Sequence, residues 1–242
     1  MVFIHGYGQD FRSFSPVYEV LGNKYSFLSL HIFYHGESTI EGSSPLKPSD
    51  WKKVVELLFD KLEIDQAYWM GFSMGAKFLL KAYEMLPSLF SGISLFAPDG
   101  LVMNPWYKFA TETIPGRLLL QFLIRAFPVF RIFVKALVKL GLLRASMGRF
   151  TMSELAYSEG RNRVLRTWLG FRNLWPKIQI LSSNAKKTSI PILLVLGKYD
   201  GIIPLKRFSQ IGKKLPTADW LILDTGHAGL LAKFAAYLAK KS

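Results

Sequence analysis

Six short apolar runs punctuate the chain, at 2–5, 27–33, 67–72, 92–97, 192–197 and 220–224. They show little alternation of polar and apolar residues, the pattern of strands covered on both faces of a parallel sheet. Between them, apolar positions recur at helical spacing. Ser15-Pro16 opens one predicted helix, with Pro in the first turn, and Gly22 closes it. Ser49 or Asp50 caps a second, whose apolar stripe is Trp51, Val54, Val55, Leu58 and Leu62. A third covers about 74–86 and stops before Pro87, and the last covers about 229–240. Alternating strands and helices predict an α/β fold: a doubly wound, mostly parallel sheet of about six strands with helices on both faces.

The rhythm breaks between 101 and 188. That stretch carries only helical patterns interrupted by Pro and Gly. It predicts a helical cap inserted into a core domain formed by 1–100 and 189–242. Within it, Arg131, Lys135 and Lys139 fall at i, i+4 and i+8, a basic stripe beside Ile132, Phe133, Val134, Leu137 and Val138.

Composition adds a charge asymmetry. The formal net charge is +14, and residues 101–188 hold fifteen Lys/Arg against three Glu. Nearly all of the excess therefore sits in the insert, which points to a surface task of its own. Peripheral contact with a membrane is one such task. Nucleic acid is not expected as a partner, because no recognition motif accompanies the charge. The chain has no cysteine, so thiolate chemistry and disulfides are excluded, and a cytoplasmic location is expected. The start, MVFIHGYG, lacks the build of a signal peptide. Charges interrupt the apolar region 118–143 before it reaches the roughly 18 residues of a membrane span.

The chemistry centres on Gly71-Phe72-Ser73-Met74-Gly75, which ends an apolar run and opens a helical one. G-x-S-x-G in that context is a nucleophile elbow: a tight turn presents the hydroxyl, and small flanking residues avoid collision. The Met74 N–H, at the start of a helix, is placed to donate to an oxyanion. A serine hydroxyl needs a base. Of the four histidines, only His227 follows Ser73, in Thr225-Gly226-His227 just past the last apolar run. Two acids compete to orient it. Asp200 follows the run at 192–197, and Asp99 follows the run at 92–97. Asp200 is favoured, because strand, turn and acid there run straight into the last strand–helix unit. His5-Gly6-Tyr7-Gly8 leaves the first strand in a tight turn, so the Tyr7 N–H is the candidate second oxyanion donor, with His5 structural. A phosphate loop there would need a third glycine or G-K-[ST]. A His31/His35 metal pair lacks an evident third ligand, and no metal or cofactor is expected.

In order, HGYG, HGES, GFSMGA, GKYDGIIP and TGHAG resemble the α/β-hydrolase fold family in its capped, esterase-like branch. They span 5–229. The resemblance implies a Ser73, His227, Asp200 triad, an oxyanion hole from Tyr7 and Met74, and a carboxylesterase- or lipase-like hydrolase of an apolar small-molecule acyl substrate. It leaves open a thioesterase, a carbon–carbon bond hydrolase or peroxide-dependent halogenation on the same triad, and a non-catalytic receptor for hydrophobic ligands. Two departures stand out. Members usually carry two strands before the HG strand, so the run at 27–33 becomes a sheet edge that invites pairing with a second copy, unless preceding residues cover it. His31 also stands where the HGES loop of relatives commonly begins with Asp.

Overall fold

A computed structural model describes residues 1–42, 45–142, 148, 152–209 and 211–241. The chain divides into two compact units. The first holds Met1–Ile40, Lys47–Val102 and Leu174–Ser242, and the second holds Glu41–Leu46 and Met103–Asn173. This division differs from an insert at 101–188. Residues 174–188 belong with the first unit and 41–46 with the second. Positions 143–147 and 149–151 of the expected insert lie outside the described residues.

The first unit is built on six parallel strands in the order β2-β1-β3-β4-β5-β6. They are β1 (Val2–Ile4), β2 (Leu28–Leu30), β3 (Ala67–Phe72), β4 (Phe90–Phe96), β5 (Ile192–Gly197) and β6 (Ala218–Leu223). All six apolar runs thus form strands. The expectation of burial on both faces fails at the edges. β6 leaves Ile222 50% exposed, and all of β2 is only half-buried. The reason is position, since an edge strand has one neighbour and incomplete cover.

The helices of this unit are α1 (Ser15–Leu21), α2 (Pro48–Lys61), α3 (Met74–Met85), α8 (Ile178–Thr188), the short α9 (Ile211–Lys214) and α10 (Leu230–Ala239). Side chains alternate across β1 and β3 and so sort the core into two layers. Phe3, Met70 and Phe72 pack with Phe14 and Val17 near α1, and with Leu230 and Phe234 of α10. On the other face, Trp69 stacks on Phe59 of α2 and on Phe90. Gly22 closes α1 at φ 54°. The start of α2 is a correction: Pro48 is its first residue, and neither Ser49 nor Asp50 precedes it. Proline's fixed φ suits the first turn. Asp50 serves from inside the helix by accepting the Lys47 N–H at 3.1 Å. The inward stripe is Trp51, Val55 and Phe59, while Val54 and Leu62 are exposed.

The second unit is helical: α4 (Pro105–Glu112), α5 (Ile114–Arg125), α6 (Phe127–Lys139) and α7 (Ser158–Gly170). Asn104 caps α4 by accepting from the Trp106 N–H, and Thr113 caps α5 by accepting from the Gly116 N–H. A Cβ on Gly116 would stand 2.0 Å from the Phe109 carbonyl oxygen, so glycine lets α4 and α5 close up. Arg161 of α7 donates to the Leu155 and Ala156 carbonyls and lies over the Phe127 ring. Among the described residues, no helix is long and apolar enough to cross a membrane.

Candidate active site

The chemistry-bearing residues lie where the strands of the first unit end. β3 runs into α3 through Ser73, whose φ of 51° and ψ of −115° are strained for a residue with a Cβ. The turn is pinned on both sides. The Ser73 N–H donates to the Phe96 carbonyl at 2.8 Å, and the Ser73 carbonyl accepts from the Asp99 N–H at 3.0 Å and the Ala76 N–H at 3.1 Å. The two glycines of the motif answer different neighbours. A Cβ on Gly71 would meet Ala76 Cα at 2.8 Å, inside the elbow. A Cβ on Gly75 would meet the Ile4 and His5 carbonyl oxygens at 2.2 and 2.4 Å. Gly75 therefore lets the first turn of α3 rest on the end of β1, beside the HGYG loop.

His227 and Asp200 meet. The imidazole Nδ1 lies 2.6 Å from Asp200 Oδ2, which leaves Nε2 as the other ring nitrogen. Asp200 is buried, and its Oδ1 accepts the Ile202 and Ile203 N–H groups, both at 2.8 Å. These bonds fix the carboxylate plane before the histidine is considered. The two loops are also joined by backbone, with Lys198 N–H donating to the Leu223 carbonyl and Tyr199 N–H to the Thr225 carbonyl. The His227 ring lies 4.9 Å, centroid to centroid, from the ring of Phe72, the residue just before Ser73. Asp99 faces elsewhere: its carboxylate accepts from the Gly100 N–H and sits 3.6 Å from Lys77 Nζ.

The HGYG loop lies against the same elbow, because a Cβ on Gly6 would touch the Phe72 ring at 2.8 Å. Gly6 N–H donates to Gln9 Oε1, and Gly8 N–H donates to His35 Nε2 at 2.9 Å. Tyr7 lies between these two anchored residues. Met74 is buried as the first residue of α3.

The histidines outside the candidate triad form a brace, and this is what sequence reasoning missed. His35 accepts from Gly8 with Nε2, so its Nδ1 carries the proton and donates to the Phe33 carbonyl at 3.1 Å. His5 is fully buried, accepts the Ile32 N–H with Nε2 and donates from Nδ1 to the Gly6 carbonyl at 2.8 Å. Burial pushes the His5 imidazole down to about 4, and the nearby His35 and His31 rings add to that shift. His31 stacks on Phe11 and accepts the Phe11 N–H at 3.4 Å. The lone pairs that a His31/His35 metal pair would offer are thus turned to backbone N–H donors. Three histidines within 31 residues were the available signal, but their partners are main-chain atoms that no motif spells out.

The model of the alpha/beta hydrolase fold family matches residues 1–234. The chain belongs to that family. Of its relatives, one is named a hydrolase and one a putative esterase/lipase, while a third is named the dihydrolipoyllysine-residue acetyltransferase component of an acetoin cleaving system; the chain is an alpha/beta hydrolase. It is 25% identical over 239 residues to the uncharacterized hydrolase YugF of Bacillus subtilis, covering 94% of this chain and 82% of that one. Among solved structures, the hydrolase is similar to a thermophilic esterase from Thermogutta terrifontis, with a TM-score of 0.68 and 17% identity, covering 99% and 86% of the two chains. It is also similar to 2-hydroxy-6-oxo-6-phenylhexa-2,4-dienoate hydrolase from a Rhodococcus species, with a TM-score of 0.65 and 19% identity, covering 98% and 86%. At these identities, the structural likenesses speak for the fold of the hydrolase.

Proposed function

We propose that this hydrolase cleaves a carboxylic ester through an acyl-enzyme on Ser73. The observation that carries the reading is the 2.6 Å contact between His227 and a buried, doubly anchored Asp200, with the imidazole beside the residue that precedes Ser73. A carboxylate on Nδ1 keeps the proton there, leaves Nε2 as the base and stabilises the imidazolium that forms. Nε2 takes the Ser73 proton as Oγ attacks the acyl carbonyl carbon. The Tyr7 and Met74 N–H groups hold the resulting oxyanion. The tetrahedral species collapses, the ester C–O bond breaks, and the imidazolium gives its proton to the departing alkoxide. A water molecule then loses a proton to the same nitrogen, attacks the acyl carbon and releases the acid, with the proton returning to Ser73 Oγ. The strained backbone at Ser73 supports this role, since such conformations are retained where geometry serves chemistry.

The test is covalent labelling. A fluorophosphonate probe should modify Ser73 and no other residue, and Ser73→Ala should lose both the label and turnover of p-nitrophenyl esters while keeping its thermal midpoint. A Ser73→Ala protein that still hydrolyses esters at the parent rate would end the proposal. Esters of graded chain length, run beside acyl-CoA thioesters, distinguish an esterase from a thioesterase.

A further inference from the structure

The second unit turns apolar residues outward in rows. On α5, Ile114, Leu118 and Phe122 recur every fourth residue and are all exposed, Phe122 by 59%. On α6, Ile132, Phe133 and Leu140 just past its end are exposed, Ile132 by 70%, while Val134 is the buried residue of that helix. At about 100° per residue these three lie on the side turned away from Val134, and Arg131, Lys135 and Lys139 run as a row along their flank. Arg125 ends the α5 row. All four cations are exposed, and among the described residues none lies within ion-pair distance of a carboxylate. From 113 to 153 the sequence has seven Lys/Arg and no Asp or Glu.

We propose that the outward face of α5 and α6 is a docking surface for an anionic lipid bilayer. Two features must be satisfied together: apolar rows that water solvates poorly, and a row of cations beside them with no counter-charge. A second copy of this chain could cover the apolar rows, but it would set one cation row against another. Nucleic acid could neutralise the cations, but it would leave the apolar rows in water. A bilayer interface accepts the apolar side chains among its acyl chains and places acidic headgroups at the level of the cations. Apolar side chains exposed in rows of this kind call for cover of some sort, since large exposed apolar surface is uncommon on a protein that docks to nothing. Binding at this face is separate from turnover at Ser73, so either reading can fail without the other.

The test is flotation of the full chain with phosphatidylcholine vesicles, with and without phosphatidylglycerol. Binding should require phosphatidylglycerol. It should weaken as salt rises from about 0.1 M to about 1 M, where the screening length falls from ~10 Å to ~3 Å. Each cation near an acidic surface contributes roughly fivefold to partitioning, so Arg131→Gln, Lys135→Gln and Lys139→Gln together should lose on the order of a hundredfold. Phe133→Ser with Leu140→Ser should weaken binding at either salt concentration. Lys53→Gln with Lys61→Gln, exposed on α2 of the first unit, should change nothing. These positions are at the surface, so circular dichroism should report unchanged helix content in every variant. Failure to bind phosphatidylglycerol vesicles, equal binding to neutral vesicles, or indifference to the triple substitution overturns the proposal. Dimerisation lost in Phe133→Ser with Leu140→Ser, without vesicle binding, would assign the face to a second copy. Oligonucleotide binding lost in the triple variant, without vesicle binding, would assign it to nucleic acid.

Discussion

α3 and α6 are apolar helices of nearly equal length, yet α3 buries ten of its twelve residues and α6 one of its thirteen. α3 is a working part of a packed core. Trp51 and Phe78 meet edge to face, Tyr83 packs on Phe90, and even Lys77 and Lys81 are buried beside Asp99 and Glu84. It begins directly after Ser73, the candidate nucleophile, so the packed helix holds the turn that presents that residue. α6 has the same taste for Leu, Val, Ile and Phe but spends it outward. The two helices teach that apolar content says an element wants cover, not where the cover comes from. For α3 it comes from the sheet and from neighbouring helices, and for α6 we assign it to lipid.

The comparison can be broken or sharpened by substitution. The largest effect should come at the site that α3 supports. Asp200→Asn should cut kcat/KM by about 10³- to 10⁴-fold with little change in KM, because the amide no longer enforces the tautomer in which Nε2 is the base. Ester kinetics read it, and a loss below tenfold would argue that Asp200 anchors only its own loop. Next, Phe78→Ala on α3 should destabilise the fold by about 3–5 kcal/mol, the cost of a cavity in a close-packed core. Urea unfolding measures it.

Acid should act through His5. Its pKa is about 4 in the fold, against an ordinary value of 6.5 for the free imidazole side chain. Between those values the unfolded chain binds a proton that the folded chain refuses, so stability is fully present above pH 6.5 and falls as pH drops toward 4. The loss should reach about 3 kcal/mol, and His5→Gln should flatten that slope in a pH series of unfolding curves. Because His5 ties the Gly6 carbonyl to the Ile32 N–H, activity should fall over the same window. The smallest effect should be Phe133→Ser on α6, which should shift unfolding by no more than about 0.5 kcal/mol in the absence of lipid. A shift as large as that of Phe78→Ala would mean that α6 is covered by protein after all.

Much of this molecule was legible before any coordinates. Each apolar run became a strand, because strand burial writes itself into a few consecutive residues. The elbow was legible because G-x-S-x-G between a strand and a helix is a local requirement. The errors came where a neighbour decides. Trp220 and Ile222 read as core and are partly or half exposed, since no residue of β6 records that the sheet ends there. Val54 and Leu62 read as inward, but Phe59 took their place against Trp69. Residues 174–188 read as part of the insert and pack with the first unit, where Asn184 donates to the Tyr83 carbonyl.

The sequence by itself determined the kinds of element, their order and the residue at the strained turn, because those depend on side chains within a few positions of one another. Only the tertiary structure decided that Asp200 rather than Asp99 holds His227, that His5 and His35 brace the HGYG loop, and which apolar helix is left without protein cover. Those outcomes depend on contacts between atoms far apart in the chain, such as Asp200 and His227, which are 27 positions apart. Periodicity carries no information at that range. The fold supplies it by bringing strand ends together at one edge of the sheet.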